Sequence, residues 1–314
     1  MAATLQRDEI DFAAYMRETN PKVKVRAASA FEEDLQKLFA PKQRSRREPV
    51  MFSTKLAGAI EFRPGELTCW AGFSGHRKSM FTGQVALDLC VQKQRVLMAS
   101  FEMLPVRTLE RMARQAYGLP QLAPATLTAF SRWTDGRLWM FDHMGRIAGA
   151  ECSAVARYFA EELDGAHVFI DSMMMVCSSE EHLDEQKQLM TDLVRLAQET
   201  GLHVHLVAHA KKPGAEGESK PPTKYDVRGS AAITDQAHNV ITVWSNKAKQ
   251  AALQKFAGDE EALAKPDALV TIEKQRNGVF EGRFQLWFDE GSMRFMNDRS
   301  SAVEPYVMHQ ESLV

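Results

Sequence analysis

The segment Gly72-Phe-Ser74-Gly75-His76-Arg77-Lys78-Ser79 combines two glycines, a lysine and a hydroxyl between an apolar run and a helix-length amphipathic stretch. That context suits anion capture, because backbone N–H groups and a helix N-terminus converge there on a phosphate. Lys78 would reach the β and γ phosphates of a nucleotide, and the Ser79 hydroxyl would bind magnesium. The usual pattern has glycine directly before the lysine, where this chain carries Arg77. Either the backbone there avoids the conformations that only glycine tolerates, or nucleotide binding is impaired. A chance glycine-rich turn between a strand and a helix is the bland alternative.

Three further groups fall at the ends of apolar runs. His167-Val-Phe-Ile-Asp171 delivers Asp171 to the carboxyl end of a strand, where it could hold the magnesium or simply cap. Glu102, in Val96-Leu-Met-Ala-Ser-Phe-Glu102, is placed to orient or deprotonate water, or to cap a helix before Pro105. His209 ends Val204-His-Leu-Val-Ala-His209, where an imidazole can hydrogen-bond the γ phosphate and report its loss to the loop that follows. His203 and His205 lack the further ligands a metal would need and are expected to be ordinary strand residues.

The elements that must position these groups follow from the alternation of short apolar runs with amphipathic stretches from Leu67 onward, which argues for an α/β fold with a mostly parallel central sheet flanked by helices. Strands are expected at 67–71, 96–100, 138–141, 168–170, 204–208, 240–243, 270–273 and 283–287, the last two forming a hairpin about Asn277-Gly278. Helices are expected at 78–92, 106–117, 153–163 and 183–199, and a small helical insertion at 248–266. Residues 1–50 form a short helical arm, with amphipathic stretches at 9–18 and 29–39 and a basic tract from Lys42 to Arg47; residues 298–314 are a tail with little periodicity.

With 39 Lys and Arg against 41 Asp and Glu, the net charge of −2 excludes global attraction to a polyanion, so a nucleic acid would have to be met by a patch. Lys211, Lys212, Lys220, Lys224 and Arg228 supply one on a Pro- and Gly-rich loop, tempered by Glu216, Glu218 and Asp226. A merely solvated loop is the alternative. Cys69, Cys90, Cys152 and Cys177 show no zinc spacing, no apolar run is long enough for a membrane span, and the N-terminus lacks a leader pattern, so a cytoplasmic location is expected.

In this order the motifs resemble the hexameric replicative DNA helicases of the DnaB type, and more closely the branch of phage primase-helicases and the mitochondrial helicase Twinkle, which His209 in place of a glutamine favours. Phe62-Arg-Pro-Gly65-Glu-Leu67 looks like the strand leading into the loop, and Ser100-Phe-Glu102-Met103 like the family's Ser-x-Glu-Met signature. Asp226-Val-Arg228-Gly-Ser230 looks like its DNA-contacting motif, and Glu273-Lys274-Gln-Arg276-Asn-Gly278 like the segment carrying its trans-acting lysine and arginine finger. The resemblance covers roughly 52–288 and implies a RecA-like ATPase/helicase domain over 51–297. It further implies ATP and Mg2+ at subunit interfaces of a homo-oligomeric, hexameric ring, and single-stranded DNA as partner. The first 50 residues are too short for a primase or collar domain, so a primase or loader would be a separate protein. A recombination-type ATPase and a DNA-binding scaffold with a degenerate nucleotide site, the latter suggested by Arg77, stay open as alternatives.

Overall fold

Alternate side chains along the expected first strand of the sheet belong to two different cores. Leu67, Cys69 and Ala71 pack on one face and Trp70 on the other, which is the period of two expected of a strand covered on both sides. In the computed structural model, which describes residues 4–6, 56–177, 182–211, 217–301 and 303–306 and the single positions 28, 32 and 36, this strand is Leu67–Gly72. It is β2, preceded in the chain by the short β1 (Thr4–Gln6).

The other strands are β3 (Val96–Ser100), β4 (Leu138–Asp142), β5 (His167–Asp171), β6 (His203–His209), β7 (Asn239–Ser245), β8 (Ala268–Gln275), β9 (Gly282–Asp289) and β10 (Arg294–Met296). They form one sheet in the order β1-β4-β3-β5-β6-β2-β7-β8-β9-β10. Every pairing from β1 to β7 is parallel, and β7 to β10 are antiparallel. A mostly parallel sheet flanked by helices is therefore correct.

Against one face lie α1 (Lys78–Val91), α2 (Pro105–Tyr117) and α3 (Pro124–Thr134), which contribute Phe81, Val85, Met112 and Phe130 to the core. Against the other lie α4 (Gly149–Leu163), α5 (Met173–Val176), α6 (Leu183–Thr200) and α7 (Ala232–Gln236), which contribute Phe159, Met173, Leu193 and Ile233. The expected helical insertion resolves into α8 (Lys247–Lys255) and α9 (Glu260–Ala264), each started by a side-chain cap, Asn246 and Asp259.

Four departures have physical causes. Phe62 to Glu66 is not a strand but a turn, because Gly65 takes φ 77° and Pro64 offers no amide hydrogen; the strand starts at Leu67. Helix α3 was not expected, since its only buried residues are Phe130 and Thr134, too few to print a periodic pattern. The hairpin exists, but its loop spans residues 276–281 rather than a tight Asn-Gly turn. The tail does not stay loose throughout: Tyr306 donates its amide hydrogen to Ala116 O at 2.7 Å, and its hydroxyl accepts from Gln84 at 3.1 Å. The arm at 1–50, apart from Thr4–Gln6 and three single positions, and the tail beyond residue 306 lie outside the described residues.

Adjacency decides where chemistry can happen. Strands β3, β5, β6 and β2 are consecutive in the sheet, with Ser100 beside Asp171 and Gly72 beside His209. Their carboxyl ends form one row, the edge at which parallel sheets present ligand-binding groups.

Candidate functional site

Gly72 ends β2 so close to β7 that a Cβ there would collide with Val243 O, which is why glycine opens the loop. Gly75 takes φ 74° in the turn itself. The chain then enters α1 through Arg77, whose φ of 62° and ψ of 23° lie in the left-handed region. These angles fall at the small left-handed region that L residues can enter, so the backbone avoids a conformation open to glycine alone. The arginine side chain is drawn off sideways: its guanidinium lies 3.9 Å from the centre of the Phe288 ring on β9 and 3.7 Å from Glu290.

Lys78 is buried, and its ammonium donates to Gly72 O at 2.9 Å and Phe73 O at 2.8 Å. Burial pushes it down to about 8, with Asp171 and Glu102 pulling the other way. His209 Nδ1 lies 3.4 Å from the Lys78 ammonium, and its Nε2 faces Glu102 at 3.9 Å. The Ser172 hydroxyl donates to Glu102 Oε1 at 2.6 Å. His209 foremost, with Ser172 and Lys78, holds the Glu102 carboxyl at about 2 against the opposing effect of burial, so it is anionic at neutral pH.

Asp171 is buried, and desolvation raises its pKa while the Ser79 hydroxyl and Lys78 oppose the shift. A desolvated carboxylate beside a hydroxyl is the hard-oxygen pair that magnesium takes when phosphates complete its shell. The residues present therefore fit Mg2+.

The structure thus brings Gly72, Ser74, Gly75, His76, Arg77, Lys78, Ser79, Glu102, Asp171 and His209 to one edge. Lys274 and Arg276 are elsewhere. Lys274 Nζ donates to Thr234 O at 2.8 Å and Asp235 O at 2.9 Å, and Arg276 Nη2 to Asp235 O at 2.7 Å, all at the end of α7. Burial, then the neighbouring Arg276, lowers the Lys274 pKa.

The basic loop is partly described, Lys212 lying outside it. Ala210 and Val227 form an antiparallel bridge, flanked by Lys211 N to Asp226 O at 2.7 Å and Arg228 N to His209 O at 2.8 Å. Lys211, Lys224 and Lys274 line a common cleft of about 420 Å³ with Tyr225, Ser230 and Asp235. Lys220 is exposed just after the turn Gly217–Ser219. Gly229 takes φ 105°, and a side chain there would strike Gln186, which accepts from the Ser230 amide at 2.8 Å, so the position requires glycine.

Sequence reasoning placed His76 in the loop but missed what it does. The ring is fully buried; Nδ1 accepts from Ser245 N at 3.0 Å, so Nε2 carries the proton and donates to Glu218 at 2.9 Å. A link from the phosphate loop to the basic loop is thereby built in. Ser172, which the sequence did not mark, is the donor that orients Glu102. Glu66 was also missed: buried, it accepts from Asn239 at 3.0 Å and from Asn277 at 2.6 Å, pinning the loop next to Arg276. A charged residue immediately before an apolar strand was the only signal for it.

Comparison with known proteins bears on the family and the fold. The family described as "AAA domain" matches residues 59–215, half of the chain. The chain is similar to a solved structure described as an ATPase domain, with a TM-score of 0.66 and 17% identity over 86% of this chain and 96% of that one. It is also similar to a structure of a DnaB-like replicative helicase and its interactions with primase, with a TM-score of 0.70 and 16% identity over 87% of this chain and 67% of that one. Identities this low show a common fold.

Proposed function

The chain belongs to the AAA domain family and has a RecA-like P-loop NTPase core, and from that premise we propose that it is an ATP-hydrolysing enzyme that moves along single-stranded DNA as a helicase of the DnaB-like replicative type. One observation carries the reading. His209, 3.4 Å from Lys78, is hydrogen-bonded through its carbonyl to Arg228 N, so one strand end touches both the phosphate loop and the basic loop.

In this reading Lys78 exchanges its two carbonyl partners for phosphate oxygens, and the loop amides from Gly72 to Ser79 cradle the rest. Ser79 and Asp171 would hold Mg2+, which when bound neutralises charge on the phosphates. Glu102, held anionic at about 2, is a weak resting base; it acts by accepting a hydrogen bond from the attacking water and aligning it. His209 senses the γ phosphate, and its loss shifts the bridge Ala210–Val227 and with it the lysines. Lys211, Lys212, Lys220, Lys224 and Arg228 contact backbone phosphates without reading bases.

Lys274 and Arg276 serve a neighbouring subunit's nucleotide in a ring, as none of their partners belongs to the phosphate loop of their own chain. The ring is hexameric by likeness to the DnaB type. The deciding assay measures ATP hydrolysis with and without single-stranded DNA, beside the molecular mass in the same buffer. Hydrolysis should be stimulated by DNA and appear only where a closed oligomer does. DNA-independent hydrolysis by a monomer would refute the reading.

A further inference from the structure

Tyr225 is the most exposed aromatic side chain among the described residues, at 79%, yet nothing in the proposed machinery uses it. It occupies the middle of the single turn Lys224–Asp226, closed by a reciprocal cap in which Thr223 N and Oγ1 both donate to Asp226 Oδ2, at 2.7 and 2.8 Å. The turn is tied at both ends: Lys211 N donates to Asp226 O at 2.7 Å, and Lys224 N to Glu273 Oε2 at 3.3 Å. A phenol ring left in water has no folding benefit, but one held on a fixed turn loses little freedom when a flat partner settles on it.

The surroundings select the partner. The cleft beside the ring, about 420 Å³, has Lys211, Lys224 and Lys274 in its wall against the one carboxylate of Asp235. The Lys224 ammonium stands 5.6 Å from the Tyr225 ring centre, so a cation and a π face are offered together. Phosphate beside a planar heterocycle is the chemistry of a nucleotide, and single-stranded nucleic acid presents its bases unstacked for this use. The three ammonium groups rest on backbone carbonyls, Lys211 on Tyr225 O at 3.4 Å, Lys224 on Glu273 O at 3.3 Å and Lys274 on Thr234 O at 2.8 Å, so an anionic partner adds a charge pairing that an apolar peptide cannot.

We infer that this cleft takes one unstacked nucleotide of single-stranded DNA, its base on the Tyr225 ring and its adjoining phosphates on Lys211 and Lys224. The inference rests on the DNA reading above and adds to it a base contact where only phosphate contacts were expected. Because the turn is bonded to the His209 strand end, the stacked nucleotide would move with that strand.

The test measures binding of the full chain to a labelled oligothymidylate and to an abasic oligomer of equal length, with Tyr225→Ala and Tyr225→Phe beside the wild type. Tyr225→Ala should weaken oligothymidylate binding about tenfold or more and leave the abasic affinity unchanged. Tyr225→Phe should retain wild-type affinity for both. The inference is overturned if Tyr225→Ala binds oligothymidylate as wild type does, or weakens both oligomers equally. It is also overturned if the variant changes ATP affinity alone, which would make the ring a seat for a neighbour's nucleotide base. Wild-type protein that binds neither oligomer would instead bring down the DNA reading on which the inference stands.

Discussion

Arg77 shows how a side chain can hold a backbone conformation that normally belongs to glycine. A left-handed non-glycine residue costs about 1–2 kcal/mol. A largely desolvated cation over an aromatic ring returns about as much, and here the guanidinium lies 3.9 Å from the centre of Phe288. Arg77→Ala keeps the strain and loses the contact, so its unfolding free energy should drop by about 1–2 kcal/mol. Arg77→Gly loses both and should stay within about 0.5 kcal/mol of wild type in urea titration. Equal destabilisation of the two would refute this balance. The phosphate loop was legible in the sequence because its residue types are contiguous, whereas the compensation for Arg77 was not, because Phe288 joins it only through the fold. A second expectation concerns Lys78, set at about 8 by burial. Above that pH the free enzyme loses the charge that draws in phosphate, so kcat/KM for ATP should fall while kcat, which reports the bound state, stays level. A kcat/KM that stays level through pH 9 would show Lys78 to be less desolvated than the structure has it.

Among the elements, β5 and β6 carry a device unrelated to nucleotide. His167, His203 and His205 are buried together with Phe62 and Phe169 against them, the Phe169 and His205 rings stacked at 4.0 Å. His205 Nδ1 accepts from Trp70 Nε1 at 3.2 Å and faces His167 through Nε2 at 3.2 Å; His203 bridges Arg63 O at 2.7 Å and Thr68 Oγ1 at 2.8 Å. Burial foremost lowers all three, His203 to about 3 against the opposing effect of the Arg63 carbonyl it binds, and the neighbouring rings of the cluster lower His167 and His205 further. The unfolded chain therefore binds protons that the folded one refuses, from pH 6.5 downward. Stability is complete above 6.5 and should fall by about 1.4 kcal/mol per pH unit per histidine as the pH drops towards the folded values. Urea midpoints at pH 7.5 and 5.5 test this, and identical midpoints would refute it. The sequence argued against a metal at His203 and His205, and the strands themselves were legible from the apolar face of Val168, Ile170, Val204, Leu206 and Ala208. Their packing as a ring cluster was not, since it depends on the register His167 to His203 between two strands. Helix α3 stayed hidden for the converse reason, a face too thinly apolar to mark itself.

At the scale of the whole molecule, the proposed catalytic apparatus is divided between two places. The loop, Glu102, Asp171 and His209 share the row of β2, β3, β5 and β6, while Lys274 and Arg276 sit on the β8 end and its loop, held to carbonyls of α7. Composition and spacing could not tell which cations serve another copy, because trans action is a property of an assembly and not of one chain; only the family likeness suggested it. Glu66, by holding Asn277, keeps the segment next to Arg276 in a set position, which the proposed action on a neighbouring subunit requires. Arg276→Ala should then leave ATP affinity nearly unchanged and reduce turnover by about a thousandfold, the lower range for a lost arginine finger. The decisive form of the test mixes it with Lys78→Ala. Each variant alone is inactive, but in a head-to-tail ring of equal parts about a quarter of the interfaces join an intact loop to an intact finger, so hydrolysis should reappear on mixing. Arg276 acting within its own chain would give no recovery, since every chain in the mixture would then lack one of the two groups.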